Sequence, residues 1–279
     1  MEPGQKAKYQ AFKALHEQAE AFVIPNPWNA GTARILTALG FQALATTSAG
    51  YAFSVGRRDS SATLTREEIL ANAREIVNAT DLPVSADLEE GFGAEPEDCA
   101  QTITEASAIG LTGGSIEDAT GDQASPIFEF NHAVERVQAA YEAARGRSFF
   151  LTARAENFLY DRPDLDDTIR RLQAFSKVGA DVLYAPGLPS LEAIRTVCQA
   201  VDKPVNVVMG LSGPSYSVES LQEAGVKRIS VGGSLARAAL GAFMRAATEI
   251  RDDGTFTYSA DAIPDAEAGS YMEVSKRNE

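Results

Sequence analysis

One (β/α)8 barrel of the TIM type is expected over residues 1–279, on three observations. Eight short apolar segments alternate with amphipathic ones in about 230 residues, the number and length that such a barrel needs. A repeated phrase ends a helix in glycine and opens an apolar strand, as at Leu39-Gly40-Phe41, Ile109-Gly110-Leu111, Val178-Gly179-Ala180 and Ala224-Gly225-Val226. Glycine there can take the left-handed conformation that closes helices. An open doubly wound sheet would instead carry Gly-x-Gly-x-x-Gly after its first strand, where Pro25-Asn-Pro27 stands.

The elements follow in order. An amphipathic helix from about Lys6 to Glu20 precedes a strand at Ala21–Pro25 and a helix at Ala30–Leu39, closed by Gly40. Phe41–Thr47 reads as the second strand. A long loop then leads to a helix at Thr65–Ala79, whose Thr65-Arg-Glu-Glu68 start is a capping box. Pro83–Leu88 and Leu111–Ile116 are the third and fourth strands, followed by helices at Pro96–Ile109 and Glu129–Arg145. Ser148–Ala153 and Asp181–Ala185 come next, with helices at Leu165–Val178 and Ser190–Ala200. Pro204–Met209 precedes a short helix at Ser217–Ala224, and Arg228–Val231 leads into Ser234–Ile250. Residues 252–279 form a polar, acidic tail expected to lie across the surface or a neighbouring subunit.

Composition narrows the function. A net charge of −14 argues against nucleic acid and anionic membrane as partners. No run of about 18 apolar residues occurs, so no membrane-spanning segment is expected. Met1 to Gln10 is polar and lacks the basic-then-apolar pattern of a signal peptide. The two cysteines, Cys99 and Cys198, fall in helical patterns and suit a reducing cytoplasm.

Chemistry in such a barrel gathers at the C-terminal ends of the strands. Those ends offer Asn26, Thr46 to Ser48, Asp87, Glu89, Glu117, Asp118, Arg154, Glu156, Tyr184, Asn206 and Gly232-Gly233-Ser234. Both histidines, His16 and His132, fall in or beside helices, and the seven lysines, Lys276 included, avoid strand ends. That disfavours a histidine base and a Schiff-base lysine. Alternation along a strand would bring Asp87 and Glu89 to one face. Two close carboxylates are costly unless a cation or proton lies between them. Carboxylates without histidine or cysteine suit a hard cation, Mg²⁺ or Mn²⁺, in preference to zinc. Arg154 would either clamp a substrate carboxylate or neutralise the acids as a core ion pair.

Six runs carry a resemblance: Pro25-Asn-Pro-Trp-Asn-Ala-Gly31, Ala45-Thr-Thr-Ser-Ala-Gly50, Gly56-Arg-Arg-Asp59, Ala86-Asp-Leu-Glu-Glu-Gly-Phe-Gly93, Ser115-Ile-Glu-Asp118 and Thr152-Ala-Arg-Ala-Glu156. In order and spacing they resemble the isocitrate lyase and phosphoenolpyruvate mutase superfamily over nearly the whole chain. The resemblance implies a barrel whose last helix swaps between subunits, a homotetramer, and Mg²⁺-dependent cleavage or formation of a C–C or P–C bond beside a 2-oxo acid carboxylate. It makes Asp87 the direct metal ligand, with Asp59, Glu89 and Glu117 holding the metal mainly through water. Arg154, with backbone amides at Thr47, Ser48 and Ala49, becomes the pocket for the substrate carboxylate. Asn206 is a further substrate contact, and Arg154, Asp59 and Glu117 are the residues assigned to catalysis.

The chain also departs from that pattern. Isocitrate and methylisocitrate lyases carry Lys-Lys-Cys-Gly-His after the fourth strand, and this chain has Asp118-Ala-Thr-Gly-Asp-Gln-Ala-Ser-Pro126. The departure argues against cleavage of those two acids and points to the branch that binds 2-oxo acids or resembles oxaloacetate decarboxylases or carboxyphosphonoenolpyruvate mutases. The loop from Thr120 to Phe130 reads as a mobile lid. The expected function is a Mg-dependent lyase cleaving a C–C, less readily a P–C, bond in a small 2-oxo or 2-hydroxy acid, with Tyr51, Tyr184 or a metal-bound water as the open candidates for proton donor. The alternatives are a non-catalytic 2-oxo acid binder and a phosphate-handling barrel enzyme. The second alternative would use Gly232-Gly233-Ser234, against a plain reading of Ser234 as a helix cap.

Overall fold

The computed structural model describes residues 3–59 and 63–273. Residues 274–279 of the expected tail, with Lys276, and the first two of the polar N-terminal segment lie outside them. The strands are β1 (Phe22–Ile24), β2 (Leu44–Ala45), β3 (Val84–Asp87), β4 (Gly113–Glu117), β5 (Phe150–Arg154), β6 (Val182–Tyr184), β7 (Val205–Val208) and β8 (Arg228–Ser230). All pair in parallel in the order β1-β8-β7-β6-β5-β4-β3-β2. The two edges meet through Ala45 N donating to Pro25 O at 3.0 Å and Asn26 Nδ2 donating to Thr46 O at 2.8 Å. The sheet is thereby a nearly closed barrel, the architecture expected.

Helices wrap it: α1 (Pro3–Glu17), α2 (Ala30–Ala38), α3 (Ser48–Ser54), α4 (Arg66–Asn78), α5 (Pro96–Ala108), α6 (Phe130–Ala144), α7 (Leu165–Val178), α8 (Leu191–Ala200), α9 (Val218–Glu223), α10 (Ser234–Asp253) and α11 (Asp265–Met272). The Thr65 capping box forms as expected, with Thr65 and Glu68 each accepting from the other's backbone. Burial of Leu44, Ile76, Ile103, Ile116, Leu151 and Phe175 between strands and helices makes the main core. Gly114 is needed inside β4, because a Cβ there would lie 2.5 Å from Leu88 Cδ1. The N-terminal end of the barrel is plugged from α1 by Phe12 and His16, whose rings pack on Phe22 and Phe150.

Three expectations change. The second strand shrinks to Leu44–Ala45: Thr46 N still donates to Ser85 O, but the return bond from Asp87 N goes to the Thr46 hydroxyl at 3.0 Å in place of a backbone carbonyl. The long loop contains α3, started by Thr47, whose hydroxyl accepts from Gly50 N. The tail is partly folded: α10 runs on to Asp253, and α11 returns to α2, where Arg34 Nη1 donates to Met272 O. Among the described residues no helix is long and apolar enough to cross a membrane.

Candidate active site

The C-terminal ends of the strands open into a cavity of about 730 Å³. Asp59, Asp87, Glu89, Glu117 and Arg154 line it, with Thr47, Ser48 and Ala49 on the α3 side. At its centre Arg154 meets Glu117 at 2.8 Å, Glu156 at 2.7 Å and Asp87 at 3.3 Å. Burial alone would discharge this guanidinium, but Glu117 and Glu156 outweigh that and raise its pKa. Its guanidinium carbon also lies 4.9 Å from the centre of the Tyr184 ring.

The acids arrive by different routes. Asp87 closes β3 and accepts from both the hydroxyl (2.9 Å) and the amide (3.2 Å) of Ser48. Glu117 closes β4. Glu89, however, lies beyond β3, so strand alternation does not bring it to Asp87. It sits at φ +51°, and with Gly91 (φ +95°) and Phe92 (φ +61°) it forms a left-handed turn back to the site. A non-glycine residue there is strained and persists only where its surroundings hold it. Arg136, fully buried on α6, does so by donating to the carbonyls of Glu90, Gly93 and Ala94. Arg66 adds a bond to Gly91 O.

Too much negative charge is gathered for one arginine. Burial, then the charges of Asp87 and Asp59, pushes Glu89 up to about 8. Burial raises Glu117 well above its usual range against the pull of Arg154, and burial followed by Asp87 raises Asp59. Glu156 Oε2 is buried without a hydrogen-bond partner. Such an all-oxygen set fits a divalent cation with hard ligands, which would lower each of these pKa values. Among the described residues no three acidic, histidine or cysteine side chains already enclose a point for an ion.

Other expected residues fall elsewhere. Asn206 does not line the cavity but a space of about 70 Å³ inside the barrel. There its Oδ1 accepts from Arg228 Nε at 2.8 Å and its Nδ2 donates to Ser230. Arg228, whose pKa burial lowers to about 10, holds Asn206 inward. Ser48 N is directed at Asp87 and not at ligand space. Tyr51 packs against the main core, whereas Tyr160 lines the cavity, its phenol pushed up to about 12 by burial and by Glu117 and Glu156.

Of the donors in the phosphate reading, Gly232 N is taken by Asn26 Oδ1, which also accepts from Val231 N, both at 2.9 Å, and Ser234 N donates to Val231 O. The cap of α10 is Gly233, not Ser234. The loop expected to act as a lid is a pinned turn: Ala119 and Ile127 pair as an antiparallel bridge, and Thr120 Oγ1 donates to Ser125 O. Behind it Arg171 of α7, missed from sequence, pairs with buried Asp118 at 3.1 Å, while Asp118 accepts from Glu156 N at 2.8 Å.

Known proteins match this arrangement over most of its length. The chain is 53% identical, over 98% of both chains and with a TM-score of 0.95, to a Burkholderia cenocepacia J2315 protein whose designation as a lyase/mutase is provisional. It is 26% identical to 2,3-dimethylmalate lyase, a member of the PEP mutase/isocitrate lyase superfamily, with a TM-score of 0.85 over 98% of this chain and 96% of that one. Against 2-methylisocitrate lyase of Escherichia coli K12 the identity is 27%, covering 78% of this chain and 75% of the relative. Carbon–carbon lyase chemistry is therefore supported at the level of the superfamily. The model of the phosphoenolpyruvate phosphomutase family matches residues 12–251, and the chain belongs to that family, within the isocitrate lyase/PEP mutase superfamily.

Proposed function

We propose that the protein is a cytoplasmic, Mg²⁺- or Mn²⁺-dependent lyase that cleaves a C–C bond in a 2-hydroxy or 2-oxo carboxylic acid. The observation that carries the reading is the strand-end cluster in which Asp87, Glu117 and Glu156 meet Arg154, with Glu89 lining the same cavity and pushed up to about 8. Asp87 would hold the metal directly, and Asp59, Glu89 and Glu117 mainly through water. When bound, the cation supplies charge stabilisation at the substrate's carbonyl or hydroxyl oxygen.

The chain's own groups do the rest. Arg154, with the amides at Thr47 and Ala49, orients the substrate carboxylate. For a 2-hydroxy acid with a carboxylate on C3, the O–H proton leaves as the C2–C3 bond breaks, C2 becomes a carbonyl, and the bonding pair left on C3 is delocalised into that carboxylate as an enolate. Asp59 and Glu117, which line the cavity, are the carboxylates placed to take that proton. A proton must then reach C3, and Tyr184 and Tyr160 are protonated donors that line the cavity. The Asp118–Pro126 loop lacks cysteine, lysine and histidine, which separates this chain from true isocitrate and methylisocitrate cleavage.

Turnover of oxaloacetate, 2-methylisocitrate, 2,3-dimethylmalate and phosphonopyruvate, with Mg²⁺ and after its chelation, tests the reading. Metal-dependent release of pyruvate, glyoxylate, oxalate or acetate is the expected result. Tight oxalate binding with no turnover of any acid would favour a non-catalytic binder.

A further inference from the structure

Inside the barrel, against the acidic cluster, lies the space of about 70 Å³ that Asn206 lines. Asp87, Arg154 and Tyr184 line both this space and the large cavity, so the two adjoin. At the roughly 30 Å³ that a water occupies in the liquid, it has room for about two such molecules.

Its lining carries a charge that no neighbouring group balances. Arg228 of β8 is buried, 5% exposed. Its Nε donates to Asn206 Oδ1 at 2.8 Å and its Nη2 to Thr152 Oγ1 at 2.9 Å, both neutral acceptors. Its Nη1 is buried without a hydrogen-bond partner among the described residues. No carboxylate among those residues pairs with the guanidinium. Burial lowers its pKa only to about 10, so it stays charged at neutral pH. The other charged groups of the lining are Arg154 and Asp87, which meet each other at 3.3 Å. One positive charge is left in excess. The hydroxyls of Ser85 and Ser115 line the same space and bond to no other described residue. A buried charge is tolerated where it is both paired and hydrogen-bonded. A water would serve the N–H of Arg228 but not its charge, and a cation would meet two guanidinium groups.

We propose that this space binds a small monovalent anion of chloride size, held by Arg228 Nη1 and the hydroxyls of Ser85 and Ser115. The ion neutralises Arg228 and holds the Asn206–Arg228–Thr152 chain across the barrel. The proposal is independent of what the large cavity binds. Its test uses the full chain in sodium gluconate, whose six-carbon anion is too large for the space, with chloride or bromide then exchanged in at constant ionic strength. The melting temperature should rise by about 2–4 °C and level off, as a single saturable site requires. Crystals soaked in bromide should show an anomalous peak within hydrogen-bond distance of Arg228 Nη1, unmoved by oxalate with Mg²⁺. Arg228→Met should abolish the rise. Ser85→Ala with Ser115→Ala should increase the half-saturating chloride concentration about fivefold or more, through the loss of two hydrogen bonds. A rise that never levels off, or one unaltered in the double serine variant, overturns the proposal. So does bromide absent from Arg228, bromide that oxalate displaces, or bromide there without saturable stabilisation, an adventitious ion only.

Discussion

Arg154 is held by three carboxylates and still faces the cavity, so the ion pair leaves room for the proposed clamp. A cation near Asp87 would take over part of the neutralisation and free the guanidinium fork for a ligand carboxylate. Arg154→Lys should therefore weaken Mg²⁺-dependent oxalate binding by about 1.5–3 kcal/mol, the range for a hydrogen bond to a charged group. Calorimetry would expose the error if oxalate affinity held while the melting temperature fell. His16 gives a pH dependence remote from the site. Its ring is buried, stacks on Phe150 and repels Arg228, which together with burial lowers its pKa from 6.5 to about 3. The unfolded chain binds the proton more tightly, so this contribution to stability is complete above pH 6.5 and is lost as pH falls toward 3. Between pH 6.5 and 5 the loss should be roughly 2 kcal/mol, at 1.36 kcal/mol per unit. Denaturant unfolding of wild type and His16→Phe should differ by that slope, and parallel pH profiles would refute it.

At the scale of elements, what positions the site was only partly legible beforehand. Short-range signals served well, as with the Thr65 capping box and the glycines that end helices. Glu89 was reached by the wrong route, because period-two alternation fails once β3 stops at Asp87 and the chain turns left-handed. Arg136 and Arg171 were invisible, since an amphipathic pattern marks a helix face but not which distant carbonyl or carboxylate its arginine will meet. α3 and α11 were missed for a related reason: one has seven residues and the other eight, so caps and contacts outweigh intrinsic propensity. The Arg171–Asp118 pair ties α7 to the end of β4 and, through Asp118, to Glu156 N. Its side chains are almost wholly buried. Arg171→Met should cost about 3–5 kcal/mol by leaving Asp118 uncompensated. A change in unfolding free energy under about 1 kcal/mol would show that the pair does not hold the loop.

For the whole molecule, alternating strands and helices made the barrel readable from sequence alone, because each unit repeats the same local rules. What closes it was not readable: β1 and β2 are joined by a side-chain bond from Asn26 and a single backbone bond from Ala45, outside the ladder that strand patterning marks. Assembly is a separate matter. Past Ala236, no residue of α10 is buried, and Leu240, Phe243, Met244 and Ile250 are exposed. An apolar helix face of this kind calls for cover, and the superfamily resemblance suggests a swapped helix in a homotetramer of 29.7 kDa chains. Light scattering at micromolar concentration should give four chains, and Phe243→Glu with Met244→Glu should give fewer. A wild-type monomer would refute the assembly.

The central claim is that the strand-end carboxylates hold a cation that in turn recruits a 2-oxo acid head group. Titration of oxalate into wild type and Asp87→Ala, each with Mg²⁺ and with a chelator, tests it most directly. Binding is expected only in wild type with Mg²⁺, with the fold of Asp87→Ala retained by circular dichroism. Equal oxalate affinity with and without the metal, or in both proteins, would contradict it.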